Sequence, residues 1–223
     1  MTVFELELLR EEVHGAEGGF LRVRRLHLCN RTADGGRSAH YVCDFAVRPK
    51  GTDAVVVALW RRGDAGVEVL LRRGLRPAMW FGRAPDELPI ADAAPTMWMT
   101  EVVAGIIERS DVGEAGVRAR AAAEAWEEAG LRLSPAAFEF LGAGTFPTPG
   151  SMPEKFWLLA AEVEPHAQPS VPEGDGSPME HGAHTHWRGL DHAIAACVAG
   201  EITDAKTELI LRRLRDRLAI TAP

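Results

Sequence analysis

Cysteine is scarce in this sequence of 223 residues: Cys29, Cys43 and Cys197 are the whole set, odd in number and far apart. That excludes a disulfide framework and a CxxC metal site, and it suits reduced thiols. No apolar run reaches the length needed to cross a bilayer. The opening stretch MTVFELELLREEVHG is charged throughout, unlike the apolar stretch of a secretory leader. Positive charge is in deficit, with 25 Lys and Arg against 32 Asp and Glu and a net charge of −7. A nucleic-acid backbone is therefore disfavoured as the main partner, although local arginines can still serve a small anionic ligand. Internal repeats are lacking too. With 46% hydrophobic and 26% charged residues, the expectation is a globular cytoplasmic protein with one substantial domain.

The first fifty residues alternate like strands. FLRVRRLHLCNR and SAHYVCDFAV flank Asp34-Gly35-Gly36, a hairpin turn signal. A second pair, DAVVVALWRR and VEVLLRR, surrounds Gly63-Asp64-Ala65-Gly66, and its continuously apolar run Ala54–Trp60 reads as a strand covered on both faces. Residues 76–95 read as a loop, TEVVAGIIE as a short strand, and 116–129 as an alanine-rich helix closed by Gly130. FEFLGAGTF and KFWLLAAEVE read as a strand pair around PTPGSMPE, followed by a loop over 165–182 and the short strand THWRGL. Two helices, 191–199 and 204–218, split by Gly200, close the chain, and RRLRDR in the second reads as a solvated face. The order predicts an α+β or α/β/α arrangement, not a repeating βαβ array.

Chemistry concentrates in the central helix. Glu124, Glu127 and Glu128 stand at i, i+3 and i+4, so three carboxylates share one helical face. Like charges this close repel unless a cation offsets them, and hard divalent ions prefer oxygen ligands while co-binding phosphate oxygens. The alternative is a plain solvated acidic face. Arg72, Arg73 and Arg76 cluster at the end of a strand, as phosphate ligands or as a solvated strand end. His181, His184 and His186 read as exposed loop and strand residues, and Trp98, Trp126 and Trp157 as core or interface.

The surrounding residues tip that balance. Gly105, Glu124, Glu127, Glu128, Gly130 and Leu131 match the signature G-x5-E-x7-R-E-U-x-E-E-x-G-U, where U is bulky and apolar. On these residues the chain resembles the Nudix hydrolase superfamily. LLRRGLRPA, TEVVAGIIE, TFPTPGSMPEKFWLLAAEV and GEITDAKTELIL, in that order, resemble its ADP-ribose pyrophosphatase branch over most of residues 20–215. Departures fall in the box. Ala123 stands where the signature has arginine, an insertion lies within ERSDVGEAG, and Gly74 stands where the branch often has glutamine. Glu114 is the nearest candidate for the upstream glutamate, and Arg120, one turn before Glu124, for the missing arginine.

The resemblance implies a Nudix α/β/α sandwich over 51–223, preceded by an N-terminal antiparallel β segment over 1–50 that pairs two copies in a homodimer. It implies hydrolysis of the diphosphate linkage of ADP-ribose or a related nucleoside diphosphate sugar, giving two monophosphates with Mg²⁺ or Mn²⁺ as cofactor. Metal ligands would be the Ala104 carbonyl, Glu124, Glu127 and Glu128; catalytic carboxylates, Glu127 and Glu180, with Glu154 as second choice. Substrate-binding residues would be Arg73, Arg76 and Glu101. The rival reading, resting on Ala123 and the insertion, is a catalytically weak or inactive Nudix-fold protein that binds a nucleotide or a partner.

Overall fold

In the computed structural model, residues 3–92, 96–167, 169–170, 172 and 176–221 are described. The loops expected over 76–95 and 165–182 therefore lie partly outside the described residues, at 93–95, 168, 171 and 173–175. Three strands, β1 (Val3–His14), β2 (Arg22–Thr32) and β3 (Tyr41–Val47), form an antiparallel sheet of their own in the order β1-β2-β3. The β2–β3 hairpin turns through Asp34-Gly35-Gly36 as expected, its backbone closed by Thr32 and Gly36. This sheet joins the rest through few contacts. Ala46 N–H donates to the Ser151 carbonyl at 2.8 Å, and Arg48 forms a buried ion pair with Glu154. Leu6, Leu8, Val23 and Val42 on the same sheet are exposed.

A seven-stranded mixed sheet carries the remainder. Strand β4 (Ala54–Gly63) turns into β5 (Gly66–Leu75), which is followed by a short helix α1 (Pro77–Phe81) inside the expected loop. Strands β6 (Trp98–Glu101) and β7 (Val103–Ile106) come next, then helix α2 (Gly113–Ala129), which starts three residues before its expected boundary. Strands β8 (Glu139–Phe140), β9 (Phe156–Glu162) and β10 (His184–Gly189) and helices α3 (Leu190–Ala199) and α4 (Ala205–Thr221) complete it. All of β9 runs parallel to the first seven residues of β4, pairing from Ala54–Phe156 to Trp60–Glu162.

Residues 54–60 are all buried, as the apolar run predicted, because the sheet is covered on both faces. Val55, Val57, Leu59 and Leu70 pack under α2, whose Ala121, Ala125 and Ala129 allow a close approach. Val56, Ala58, Trp60 and Leu71 pack under α3 and α4, against Ile194, Ile210, Leu211 and Leu214. Strand β8 is shorter than FEFLGAGTF suggested. Arg213 of α4 donates to the carbonyls of Leu141 (3.1 Å) and Ala143 (2.8 Å) and to the Thr145 hydroxyl (2.7 Å), holding that stretch as a loop. Arg213 therefore corrects the reading of RRLRDR as a solvated face: one of its arginines points inward.

The feature that positions the site is a split in the sheet. Strands β4 and β5 pair only near their hairpin, from Trp60–Val69 to Gly63–Gly66. Beyond it they part, and the segment 98–106 bridges them: β6 pairs with β5, and β7 pairs with β4. Val102 sits at the crossover and is buried; its N–H donates to Thr207 Oγ1 at 2.9 Å. Thr207 O–H in turn donates to Asp204 Oδ2 at 2.5 Å, and Asp204 also accepts the Thr207 N–H at 3.0 Å, capping α4. Replacing Thr207 by valine leaves the buried Val102 N–H unpaired. Urea denaturation should show Thr207→Val less stable by about 1–3 kcal/mol, since an orphaned buried donor carries its desolvation penalty.

Candidate active site at the split in the sheet

Helix α2 lays its acids over the split. Each helical residue advances about 100°, so Glu128 falls in the stripe of Val117 and Ala121 that faces the sheet, Glu124 flanks it, and Glu127 turns to the side. Glu128 Oε2 accepts the Ala104 N–H at 3.1 Å. In a strand the N–H and C=O of one residue face the same edge, so the Ala104 carbonyl also faces the helix. Glu124 comes down beside Gly105. A Cβ on residue 105 would lie 1.9 Å from the Glu124 carboxyl, so the box glycine is there for the close approach.

Arg72 completes the cluster. It is 5% exposed, its Nη1 is 3.5 Å from Glu128 Oε1, and its Nη2 donates to Glu180 Oε1 at 3.2 Å. Glu180 ends a 3-10 turn, Pro178–Glu180, opened by Ser177, whose hydroxyl accepts the Met179 N–H. Arg72, Glu127, Glu128 and Glu180 together line a cavity of about 340 Å³ with Ser177 and His184. Burial pushes the Glu128 carboxyl above its ordinary value, and the Glu101 charge adds to the shift; Arg72 and the Ala104 N–H oppose it without cancelling it.

The expected substrate residues do not gather at this cavity. Glu101 is 2% exposed and sits between cations: Lys206 donates to its Oε2, and Arg76 Nη2 lies 2.5 Å from its Oε1 as an ion pair without hydrogen-bond alignment. Lys206 also donates to Asp204 at 2.9 Å. Arg76, at the start of α1, keeps its guanidinium 40% exposed. Arg73 points to the opposite face of β5 from Arg72, lies over the Trp98 ring at 5.4 Å, and lines a separate groove with His186 and Arg188. Glu154 lies away from the cavity, in its pair with Arg48, whose guanidinium also donates to the Thr52 carbonyl at 2.8 Å.

Arg120 braces the altered box. It donates to Asp111 Oδ2 at 2.9 Å and lies 3.6 Å from Glu108 and 3.9 Å from Glu124. Asp111 also accepts the Glu108 N–H at 2.9 Å. The acid that Arg120 meets is thus Asp111, inside the insertion, while Glu114 is exposed on the first turn of α2. Sequence reasoning missed Asp111 and Lys206, and it placed Arg72 in a basic strand end without its pairing to Glu128 and Glu180. Strand alternation held the signal for Arg72, which shares parity with Leu70, packed under α2.

Two outcomes follow from this geometry. Arg120→Ala should lower stability by about 1–2 kcal/mol in guanidinium melts, through the lost charged hydrogen bond, while Glu114→Ala should stay within about 0.5 kcal/mol of wild type. Glu128 holds its proton more tightly folded than unfolded. Above its unfolded value of about 4.5 the folded state binds more protons, so stability falls as pH rises through the higher folded value. In EDTA, urea midpoints of Glu128→Gln should gain on wild type as pH rises above about 4.5.

Compared by sequence, the chain matches no protein-family model and no curated protein. Compared by structure, it superposes on a solved ADP compounds hydrolase with a TM-score of 0.65 at 16% identity, over 98% of this chain and 97% of that one. Looser superpositions include a NUDIX hydrolase from Alicyclobacillus acidocaldarius (TM-score 0.49, 13% identity, 73% of this chain and 90% of that one). Another is the NUDIX domain of Shewanella oneidensis NrtR complexed with ADP ribose (TM-score 0.48, 13% identity, 75% and 88%). At 16% identity the end-to-end correspondence is one of architecture: the chain shares the fold of that ADP compounds hydrolase over nearly its whole length.

Proposed function

We propose that the chain hydrolyses the diphosphate linkage of ADP-ribose or a related nucleoside diphosphate sugar, releasing two monophosphates. The observation that carries this reading is the convergence of Glu127, Glu128, Glu180 and Arg72 on one cavity at the split in the sheet. Four charged groups at one concave site, one of them a half-buried carboxyl with a raised pKa, mark a place for charge chemistry.

The donors fit a hard divalent ion in kind: carboxylates of Glu124, Glu127 and Glu128 and the helix-facing carbonyl of Ala104 are all oxygen ligands. Among the described residues no three His, Cys, Asp or Glu side chains converge tightly enough to hold an ion, and the cation in contact with Glu128 and Glu180 is Arg72. When bound, Mg²⁺ or Mn²⁺ would neutralise charge on the diphosphate oxygens. The chain's own residues supply the rest. Glu180 or Glu127 accepts the proton of a water that attacks one phosphorus as the bridging P–O bond breaks, leaving AMP and ribose 5-phosphate from ADP-ribose. Arg76 offers its exposed guanidinium to phosphate. Glu101, buried behind it, holds that guanidinium in place and reaches substrate only through it. Arg73, on the far face, would serve a more distant part of the substrate.

The exposed apolar residues of the N-terminal sheet support reading 1–50 as a separate layer that pairs two copies. No helix among the described residues is long and apolar enough to cross a membrane, and we place the enzyme in the cytoplasm. A second reading, a nucleotide-binding protein without turnover, is favoured by one observation: Arg72 already pairs with Glu128 of the box and with Glu180.

Release of monophosphate from ADP-ribose, UDP-glucose, GDP-mannose and NADH, each with Mg²⁺ or Mn²⁺, separates these readings. Turnover of ADP-ribose should stop with EDTA. In Glu128→Gln and Glu180→Gln, kcat should fall about 100-fold or more, the usual scale for losing a positioned proton acceptor or charge. A folded protein inert on all four substrates sinks the enzyme reading.

A further inference from the structure

Arginine inside a sheet is unusual, and the surroundings of Arg72 show what holds it there. Strand alternation sends residue 72 to the α2 face, the same face as Leu70, so its charge cannot reach open solvent. A buried cation is tolerated only when paired, and Arg72 is paired with two acids that come from different elements, Glu128 of α2 and Glu180 of the 3-10 turn.

Gly74 makes the room. Its backbone is not in the left-handed region, so glycine is not there for its torsion angles. A Cβ at 74 would instead lie 2.6 Å from Arg72 Nη1. Glycine within a strand weakens it and commonly marks a close approach; here the approaching group is the Arg72 guanidinium, two residues back on the same face. Arg72 and Gly74 thus form one unit: a guanidinium folded back along its own strand and seated against the box.

We propose that Arg72 is a built-in cation of the acidic box, which competes with a divalent ion for Glu128 and Glu180 and so sets how tightly the site holds that ion. This rests on the reading of Glu124, Glu127 and Glu128 as ion ligands. With Arg72 seated, the Glu128 charge is already offset and a second cation gains less by approaching. With Arg72 displaced, Glu128 is left half-buried without that counter-charge, and the gain from an ion is correspondingly larger. The guanidinium is therefore a threshold on loading: the box fills only at ion concentrations high enough to displace it.

The test is titration with Mn²⁺ alone, free ion read by electron paramagnetic resonance, on wild type, Arg72→Met, Gly74→Ala and Glu128→Gln. Arg72→Met should tighten Mn²⁺ binding at least about tenfold, the low end of coupling for close charge pairs. Gly74→Ala should move the same way, because the new methyl pushes Nη1 aside while every charge is kept. That variant decides by itself if Arg72→Met does not fold. Unchanged or weaker binding in both, with wild-type binding present and lost in Glu128→Gln, overturns the proposal and leaves the ion site standing. No Mn²⁺ bound by any of the four proteins overturns both.

Discussion

Glu101, buried, and Glu128, half-buried, lie where β4 and β5 part, and the arrangement of the surrounding elements depends on how these two charges are balanced. An uncompensated buried carboxylate is worth several kcal/mol of instability, so each must meet a cation or strong donors. Glu101 has Lys206 and Arg76; Glu128 has Arg72 and the Ala104 N–H. Those partners come from α4, from the start of α1, from β5 and from β7. Packing that satisfies both acids at once therefore ties four elements to one point. Asp204 adds a second tie there, since it caps α4, binds Lys206 and holds the Thr207 hydroxyl that receives the Val102 N–H.

The same alternation that builds the sheet distributes its arginines. Arg72 goes under α2 with the acids, Arg73 goes to the α3 and α4 side over Trp98, and Arg76 lies past the strand end beside Glu101. A run that looks like a single basic patch in the sequence thus serves three different places. One arginine pairs with acids of the cavity, one pairs with Glu101 past the strand end while keeping its guanidinium partly exposed, and one lines a groove on the other side of the sheet. The box departures follow a related logic. Where the signature arginine is missing at Ala123, Arg120 reaches one turn away to Asp111, an acid that the insertion itself brings within range.

Much of the fold was legible because its signals are local. The hairpin turns at Asp34-Gly35-Gly36 and at 63–66, the two-faced burial of 54–60, the carboxylates of α2 and the two closing helices all follow from spacing within a few residues. What was misjudged involved partners from elsewhere. FEFLGAGTF alternates like a strand, yet Arg213 takes its carbonyls; Glu154 has the composition of a site residue, yet it pairs with Arg48, which also binds the Thr52 carbonyl. Likewise Glu114 has nearly the right spacing, but spacing does not reveal that the insertion turns Asp111 toward Arg120 and leaves Glu114 in solvent.

By itself, the sequence determined which elements form and that Glu124, Glu127 and Glu128 share a helical face, because periods of two and 3.6 residues are properties of the backbone. Only the tertiary structure decided how those carboxylates are balanced. Arg72 meets Glu180 across 108 residues and Lys206 meets Glu101 across 105, and no local rule specifies which distant cation a buried acid receives. That choice depends on where β4 and β5 part and which face of β5 each arginine occupies. It is settled by the joint requirement that every charge buried at the split has a partner.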